Sequence, residues 1–287
     1  MAAQLLQGKT IATRINEGLK KEIAELKQKT GCSPRLVSIQ AGANPASAVY
    51  VKSQKKNAQE LGIEYVLETL EAAASEDLLL KLIQGLNQDK TVSGIIVQLP
   101  LPKGMNHRKV ISVIAPEKDA EGMHPQNLGR VLLGDADIAP CTAQAAMELI
   151  VSTGVELYGK EAVIVGHSEI VGKPLSMLLL NKFVTTTVCH IATSERGVLS
   201  EHVRKAEILV VAVGKAELIK GEWIRKDAIV IDIGINQVGD KLVGDVEFEQ
   251  AQERAAFITP VPGGVGPLTV TMLMRNVVSG FKAQHNL

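Results

Sequence analysis

Apolar residues recur at helical spacing near the start of the chain. They stand three or four positions apart, and Lys and Glu fill many of the positions between them. These apolar residues are Ile11, Ile15, Leu19, Ile23 and Leu26. Their spacing predicts a helix with one apolar face, and Gly31 predicts where that helix ends.

Beyond this helix, short apolar runs typical of strands alternate with helical stretches. The predicted strands of this first series are residues 35–40, 63–67 and 94–98, and the predicted helices are about 47–61 and 77–86. Alternation of strands and helices predicts a mostly parallel sheet that is covered by helices.

A second alternating series begins near Glu161. Its predicted strands are residues 162–165, 186–189, 208–213, 228–233 and 257–259. A helix is predicted after Gly172. This rhythm is typical of a doubly wound nucleotide-binding domain.

Pro and Gly residues concentrate between the two series, at residues 115–142, and predict a loop-rich hinge. We therefore expect an α/β protein of two domains. An N-terminal α/β domain would comprise residues 1–138, and a Rossmann-type, doubly wound domain would comprise residues 139–267. The remaining segment, 268–287, is expected to form a helix that packs back on the first domain.

Composition and charge narrow the functional classes. Hydrophobic residues make up 46% of the 287 positions, and 31 Lys and Arg balance 31 Asp and Glu, so neither disorder nor non-specific nucleic-acid binding is expected. The three cysteines form no CxxC pair, which favours a reducing, cytoplasmic location over a disulfide framework or structural zinc. The apolar runs fall far short of the roughly 20 residues that span a bilayer, so no membrane association is expected. The N-terminal sequence shows no export signal.

Residues 166–174 read Gly-His-Ser-Glu-Ile-Val-Gly-Lys-Pro and stand between a predicted strand and a predicted helix. A glycine turn at a helix N-terminus directs backbone N–H groups at an anion, so this turn is a candidate phosphate site. It lacks the full dinucleotide fingerprint, because Ser168 occupies the middle glycine position. An ordinary strand-to-helix turn has similar composition, and the strands that follow favour the dinucleotide interpretation.

Two other chemistries are disfavoured. The same string lacks the second glycine of a nucleophile elbow, which argues against a serine hydrolase. The six histidines form no HExxH motif or other close cluster, so no metal is expected.

The choice between NAD and NADP stays open, because Ile191 carries no charge where the ribose is normally recognised. Residues able to meet a 2′-phosphate are His167, Thr193, Ser194 and Arg196.

Six separated strings complete the pattern. They are 50–56 (Tyr-Val-Lys-Ser-Gln-Lys-Lys), 98–102 (Gln-Leu-Pro-Leu-Pro), 116–122 (Pro-Glu-Lys-Asp-Ala-Glu-Gly), 140–142 (Pro-Cys-Thr), the glycine turn, and 260–269 (Pro-Val-Pro-Gly-Gly-Val-Gly-Pro-Leu-Thr). In this order, and almost from end to end, the chain resembles the bifunctional methylenetetrahydrofolate dehydrogenase/methenyltetrahydrofolate cyclohydrolase family.

The resemblance implies two domains that face each other across a cleft, in a homodimer. It also implies tetrahydrofolate one-carbon derivatives as substrates, and NADP as the cofactor with NAD not excluded. A hydride would pass from the methylene carbon to the nicotinamide, and water would then open the methenyl bridge to give 10-formyltetrahydrofolate.

Site residues also follow from the resemblance, position by position. The expected catalytic residues are Tyr50, Gln54, Gln98 and Glu121. The expected substrate-binding residues are Tyr50, Gln98, Leu99, Pro100, Glu121, Pro262, Gly263 and Gly264. The expected cofactor-binding residues are Gly166, His167, Ser168, Ile170, Val171, Ile191, Thr193 and Ile235.

Gln54 departs from the pattern of the family, which has a catalytic Lys four residues after the Tyr that matches Tyr50. A buried Lys can be tuned to exchange a proton during hydrolysis, whereas an amide has no proton to give at working pH. Lys55 and Lys56 are rotated by roughly 100° and 200° around a helix, so neither reaches the same place without a bulge. We therefore expect the dehydrogenase to persist and the cyclohydrolase to be weak or lost.

Glu121 is a second departure, because the family's Lys-Asp-Val-Asp-Gly becomes Lys-Asp-Ala-Glu-Gly at residues 118–122. The longer acid keeps the charge that would bind the pterin ring but reaches one methylene further.

Two alternative functions remain open. One is a fully bifunctional enzyme with a proton supplied by a neighbouring Lys, and the other is a folate-binding paralogue without catalysis. A Rossmann dehydrogenase for a hydroxy or amino acid would not account for the strings of the first domain.

Overall fold

The computed structural model describes residues 2–42 and 45–287, apart from the side chains of residues 45 and 46. The strands are β1 (Gln4–Leu5), β2 (Arg35–Ala41), β3 (Glu64–Leu70), β4 (Gly94–Val97), β5 (Glu161–Val165), β6 (Thr185–Cys189), β7 (Ile208–Val211), β8 (Ile229–Asp232), β9 (Asn236–Val238), β10 (Lys241–Val243) and β11 (Phe257–Ile258). The helices are α1 (Gly8–Thr30), α2 (Pro45–Leu61), α3 (Glu76–Gln88), α4 (His107–Val113), α5 (Pro125–Leu133), α6 (Cys141–Ser152), α7 (Gly172–Leu180), α8 (Ile191–Glu195), α9 (Leu199–Val203), α10 (Phe248–Arg254) and α11 (Val265–Gln284). Short 3-10 turns occupy Pro116–Lys118 and Gly221–Trp223.

The chain divides into two compact units. The first, the six-stranded unit, comprises the residues up to Thr13 together with Thr142–Thr269. The second, the three-stranded unit, comprises Arg14–Cys141 and Val270–Leu287. Within each of these two sheets, all the described strand pairs are parallel, as the alternation of strands and helices predicts.

The three-stranded unit is built on a sheet of order β3-β2-β4. Val37 and Ile39 of the central strand β2 lie in a core that also contains Leu79 and Ile83 of α3. Because successive side chains of a strand alternate between faces, Ser38 points to the opposite face of the sheet. Ser38 is nevertheless fully buried, so its hydroxyl requires a partner inside this unit.

Helix α2 buries one face and exposes the other. Val51, Gln54, Ala58 and Leu61 recur at spacings of three and four, and all are buried. The residues at positions 52, 53, 55 and 56 are exposed. The amide side chain of Gln54 therefore occupies an apolar stripe, where a polar group is stable only when it is hydrogen-bonded.

The six-stranded unit has the strand order β1-β11-β8-β7-β5-β6. Strand β5 pairs with β6 on one side and with β7 on the other. The order in which the chain adds strands to the sheet therefore reverses at β5. In open parallel sheets, ligands bind beside the carboxyl ends of the strands at such a switch point. The glycine turn at residues 166–172 follows β5 directly and therefore stands at this place.

The structure differs from the sequence-based expectations in several places. Residues 115–142 are not only loop, because α5 forms there between an N-terminal cap at His124 and the left-handed Gly134. The further elements that the pattern did not predict are helices α4, α6, α8, α9 and α10 and the β9–β10 hairpin. The start of the chain, expected in a domain of residues 1–138, clusters with the six-stranded unit because β1 pairs with β11.

The C-terminal part of α11, from Val270, belongs to the three-stranded unit. Asn276 Nδ2 donates to the carbonyl oxygens of Ala120 and Ala139, both at 2.9 Å. Lys282 Nζ pairs with Glu22 at 2.9 Å. These contacts tie the segment around residue 120 to the last helix. In the part of the chain that the structure describes, no helix is long and apolar enough to cross a membrane.

Candidate active site

A cavity of about 220 Å³ opens beside the carboxyl end of β4 in the three-stranded unit. It is lined by Ser47, Tyr50, Ile96, Val97, Gln98, Leu99 and Glu121. Four of the expected site residues are thus brought together around one space. Pro100 follows Leu99 through a cis peptide bond and is not part of this lining.

Gln54 stands one helical turn after Tyr50 and is completely buried. Its Oε1 accepts hydrogen bonds from Gln98 Nε2 at 3.0 Å and from the Tyr65 hydroxyl at 3.1 Å. Gln98 Nε2 also donates to Ser38 Oγ at 2.9 Å. Gln54 Nε2 makes no hydrogen bond of ordinary geometry within the described residues, and the Gln54 side chain also interacts with the hydroxyl of Tyr50. The side chain is therefore fixed through its oxygen.

Lys55 and Lys56 do not share the position of Gln54. Helix α2 runs without a break from Pro45 to Leu61, and both lysines are exposed on it. Lys56 Nζ lies 3.9 Å from Glu60, its partner one turn later. Neither ammonium group faces the buried side of α2.

Glu121 is the acid of the cavity. Burial, together with the nearby Asp119 carboxylate, raises the pKa of Glu121 to about 7. Its Oε2 atom is buried and makes no hydrogen bond within residues 2–42 and 45–287. Buried carboxylate oxygens without partners are rare in proteins and mark places where a ligand can supply the donors.

Asp119 supports the loop that carries Glu121. The carboxylate is fully buried and accepts from the backbone N–H groups of Gly122 at 3.1 Å and His124 at 2.6 Å. Asn127 Nδ2 donates to it at 3.0 Å. Burial raises the pKa of Asp119, and these donors oppose the shift. Asp119 therefore acts as a structural acid, while Glu121 keeps an open oxygen.

Tyr50 and Cys141 remain neutral beside this acid. Burial raises the pKa of Tyr50 above its usual value, and Cys141 and Glu121 add to the shift. Burial also raises the pKa of the Cys141 thiol, whose Sγ donates to the Ala120 carbonyl at 3.4 Å. A phenol that keeps its proton can donate or stack but cannot act as a base at neutral pH. Glu121 is therefore the lining residue that titrates near neutrality.

The expected substrate-binding string Pro262, Gly263 and Gly264 lies in the six-stranded unit. Gly263 has a φ of +110°, and its carbonyl accepts from the Gly8 N–H at 3.0 Å. A Cβ at Gly264 would meet Thr259 and the Pro260 carbonyl. The two glycines thus permit a tight turn that side chains would obstruct.

The glycine turn after β5 is compact, and close backbone contacts at two of its glycines shape it. Gly166 has a φ of +121°, and a Cβ there would overlap the Ala212 carbonyl. A Cβ at Gly172 would overlap the Gly166 carbonyl, so helix α7 begins in close contact with the turn. Ser168 Oγ accepts from the Val171 N–H at 3.1 Å and holds the turn closed. The residues present therefore fit a pyrophosphate at the helix N-terminus.

Exposed apolar side chains surround the same edge of the sheet. Ile170, Ile191 and Ile235 follow β5, β6 and β8 and are 40%, 70% and 60% exposed. All three isoleucines follow carboxyl ends of strands in one sheet, the edge where ligands bind in open parallel sheets. Thr193 Oγ1 accepts from the His190 N–H at 3.2 Å, and the rings of His167 and His190 lie 5.3 Å apart.

A buried acid pair supports this edge and was not predicted. Asp245 accepts from the N–H groups of Val213, Gly214 and Lys215 at 2.7–3.0 Å. Asp232 accepts from the N–H groups of residues 234, 245 and 246. Burial, with a contribution from Asp245, raises the pKa of Asp232 to about 7. Both acids fix loops at the carboxyl ends of β7 and β8.

Sequence reasoning missed one residue that lines the cavity and two that hold Gln54 and Gln98 beside it. Ser38 and Tyr65 hold Gln54 and Gln98, and Ser47 lines the cavity. A serine between Val37 and Ile39 in an apolar strand was the available signal for Ser38. Tyr65 offered none, because aromatic residues are common in strands.

The fold and the two groups of residues define an α/β enzyme with a dinucleotide-binding sheet and a separate acid-containing cavity. The tetrahydrofolate dehydrogenase/cyclohydrolase family has two matching models, its NAD(P)-binding domain at residues 140–285 and its catalytic domain at residues 6–121. The chain belongs to this family, which confirms the resemblance seen in the six strings.

Individual members of the family are similar to this chain over nearly its whole length. The bifunctional protein FolD of Bacillus pumilus is 50% identical over 283 residues, which cover 98% of this chain and 99% of that protein. The solved FolD of Trypanosoma brucei, complexed with NADP cofactor and inhibitor, has a TM-score of 0.94 at 38% identity and covers 100% of both chains. The bifunctional enzyme FolD of Campylobacter jejuni has a TM-score of 0.94 at 42% identity, with coverage of 98% and 99%.

Proposed function

We propose that this protein oxidises 5,10-methylenetetrahydrofolate to 5,10-methenyltetrahydrofolate and has little or no cyclohydrolase activity. The observation that carries the proposal is the buried Gln54, whose oxygen is held by two donors and which has no titratable proton. Lys55 and Lys56 are exposed on an unbroken helix, so neither takes over the missing function. Hydrolysis of the methenyl bridge requires proton transfer that Gln54 cannot provide.

The oxidation makes smaller demands on the protein. The lone pair of a folate nitrogen assists the departure of the hydride. The protein therefore has only to bind and orient the folate and the cofactor and to exclude water. We assign the folate to the cavity, with its donor-rich pterin edge on Glu121 and its ring against Tyr50. Gln98 and Leu99 complete the wall, and Pro262 to Gly264 are assigned to the substrate as well.

The cofactor is assigned to the six-stranded unit, where it supplies the hydride acceptor when bound. Gly166, Ser168 and Val171 would shape the phosphate turn, and Ile170, Ile191 and Ile235 would contact the apolar faces. We favour NADP because the Trypanosoma brucei relative was solved with NADP. Thr193 follows β6, where a 2′-phosphate is normally recognised. His167 follows β5 and is assigned to the cofactor as well.

A fully bifunctional enzyme is the second candidate, and one observation favours it. Glu121 has a pKa of about 7 and an open carboxylate oxygen, which suits a general base at neutral pH. The relatives are also named bifunctional proteins. A carboxylate that is occupied by the pterin edge cannot also accept a proton from water, so we rank this candidate second.

The decisive measurement follows the ultraviolet band of methenyltetrahydrofolate. Purified protein is mixed with methylenetetrahydrofolate and NADP or NAD, and an enzyme-free sample gives the spontaneous decay. We expect the band to grow faster with NADP and then to fade at the spontaneous rate. Faster fading would support the bifunctional candidate, whereas no band with either cofactor would support a folate-binding paralogue without catalysis.

Folate binding is expected to weaken at acidic pH through Glu121. Its pKa is raised to about 7, so the carboxylate that accepts pterin N–H groups is present above pH 7 and is lost below it. The KM for methylenetetrahydrofolate should therefore rise about tenfold from pH 8 to pH 6. Asp119 and Cys141 face the same carboxyl group and stay in place in the variants. Glu121→Gln should raise KM at pH 8 and flatten the profile, while Glu121→Asp should keep a pH dependence.

A homodimer is also proposed, on the resemblance to the family. Size-exclusion chromatography with light scattering gives the mass directly. A mass twice that of the chain at micromolar concentration would support the dimer, and a single-chain mass would overturn it.

A further inference from the structure

Asp245 holds three consecutive backbone N–H groups at the carboxyl edge of the six-stranded sheet. The residue is fully buried, and its carboxylate accepts from the N–H groups of Val213 at 2.7 Å, Gly214 at 3.0 Å and Lys215 at 2.8 Å. Asn236 Nδ2 donates a fourth hydrogen bond at 2.9 Å. Four donors match the four lone pairs of a carboxylate, whereas an amide side chain has only one oxygen to offer.

The four donors belong to two different loops. Residues 213–215 follow β7, and Asn236 is the first residue of β9, shortly after β8. A Cβ at Gly234 would overlap the Asp245 carboxylate, so the backbone before Ile235 packs directly against this acid. Both sequence neighbours of the exposed Ile235 are therefore held by Asp245.

The loop after β7 also determines where the glycine turn can pack. A Cβ at Gly166 would overlap the Ala212 carbonyl and would lie 3.6 Å from Val213 Cγ1. Ala212 directly precedes the three residues whose N–H groups Asp245 binds. Asp245 thus connects the loops after β7 and β8 and, through Ala212, the turn after β5.

The strand order places the loops that Asp245 holds on one side of the switch point. Strand β5 has β6 on one side, and β7 and then β8 on the other. A dinucleotide crosses the sheet at such a point, with its pyrophosphate at the glycine turn and its adenosine ribose recognised after the second strand, which here is β6. The nicotinamide half would then extend over the ends of β7 and β8.

We propose that Asp245 is a positioning residue for the nicotinamide half of the cofactor, because it fixes the loops after β7 and β8 over which that half extends. The inference rests on the proposed assignment of the cofactor to this unit. Since Asp245 is fully buried, it acts through residues 213–215 and 234–236 rather than by touching the cofactor.

The test compares Asp245→Asn with the unaltered protein. The variant keeps the size of the side chain but places an NH₂ group among N–H donors, where it cannot accept. Calorimetry measures the Kd of NADP and of adenosine 2′,5′-bisphosphate, a fragment that lacks the nicotinamide half. The Kd of NADP should rise about tenfold, while the Kd of the fragment stays within about twofold. A merely structural role would weaken both ligands alike.

Two further variants make the result decisive. Glu207 lies just before β7, at the opposite edge of the sheet, and also accepts a backbone N–H, that of Glu161 at 3.0 Å. Glu207→Gln is therefore the matched control and should change neither Kd. Asn236→Ala removes the side-chain donor beside Ile235 and should raise the Kd of NADP about threefold without changing that of the fragment. It decides the question if Asp245→Asn does not fold.

Two results would overturn the proposal. One is unchanged binding of NADP by a folded Asp245→Asn variant, and the other is equal weakening of NADP and the fragment. Failure of the proposed function is distinct, because the unaltered protein would then bind no NADP and form no methenyltetrahydrofolate.

Discussion

Replacing Gln54 with Lys is expected to raise the rate of methenyltetrahydrofolate hydrolysis by about 10²- to 10⁴-fold, the usual contribution of a positioned general acid or base. The new ammonium group would stand at a fully buried position, next to Gln98 and Tyr65. Burial lowers the pKa of a lysine towards neutrality, so the group can exchange a proton with water at working pH. The gain would show as faster decay of the methenyl band.

The matched control is Gln54→Arg. Arginine brings the same positive charge but does not release its proton in proteins, so it should give no comparable gain in hydrolysis. Oxidation by Gln54→Lys should persist, because hydride transfer does not need a protein acid or base. A folded Gln54→Lys variant without any gain would contradict the assignment. Fast hydrolysis by the unaltered protein, lost when Lys55 or Lys56 is replaced, would contradict it as well.

Replacing Gly166 with Ala is expected to reduce dehydrogenase activity by about a hundredfold or more, since misplacement near reacting groups by about 1 Å has effects of this size. Gly166 has a φ of +121°, which side chains rarely adopt, and a new Cβ would overlap the Ala212 carbonyl. The turn would have to move away from β7, and the start of α7 would move with it. The KM for the nicotinamide cofactor should rise most.

Two glycines separate the causes of such a loss. Gly154 has a φ of +71° and open space around its Cβ position, so Gly154→Ala tests backbone strain alone. Gly129 lies in α5 with nothing near its Cβ position, so Gly129→Ala tests a glycine without either constraint. Neither should change the KM for the cofactor. Normal cofactor binding by Gly166→Ala would show that the turn is not the phosphate site.

The folate site was only partly predictable, because hydrogen-bond partners far apart in the sequence are set by packing. The position of Gln54 on the buried face of α2 follows from the helical period that also buries Val51 and Ala58. Its partner Tyr65 stands on another element, and no local pattern connects the two residues. The same holds for Asp119, whose role becomes visible only when Gly122, His124 and Asn127 surround it.

Most of the elements that were missed are short. Helix α5 has clear boundary signals in Pro125 and Gly134, yet the density of Pro and Gly around it favoured a loop. Strand β1 contains two residues, too few for any periodic pattern, and exists because β11 offers it a parallel partner. Such pairing is a property of the folded sheet rather than of the segment.

The sequence by itself determined the α/β class, the glycine turn after a strand, the family, and the absence of a lysine at position 54. These features can be recognised locally, because periodicity and motifs lie within short stretches of the chain. Only the tertiary structure decided the pKa of Glu121, the hydrogen-bond partners of Gln54 and the unit to which the first residues belong. Burial and hydrogen bonding depend on segments far apart in the chain, and their effect on charge and donor groups exists only after the segments pack together.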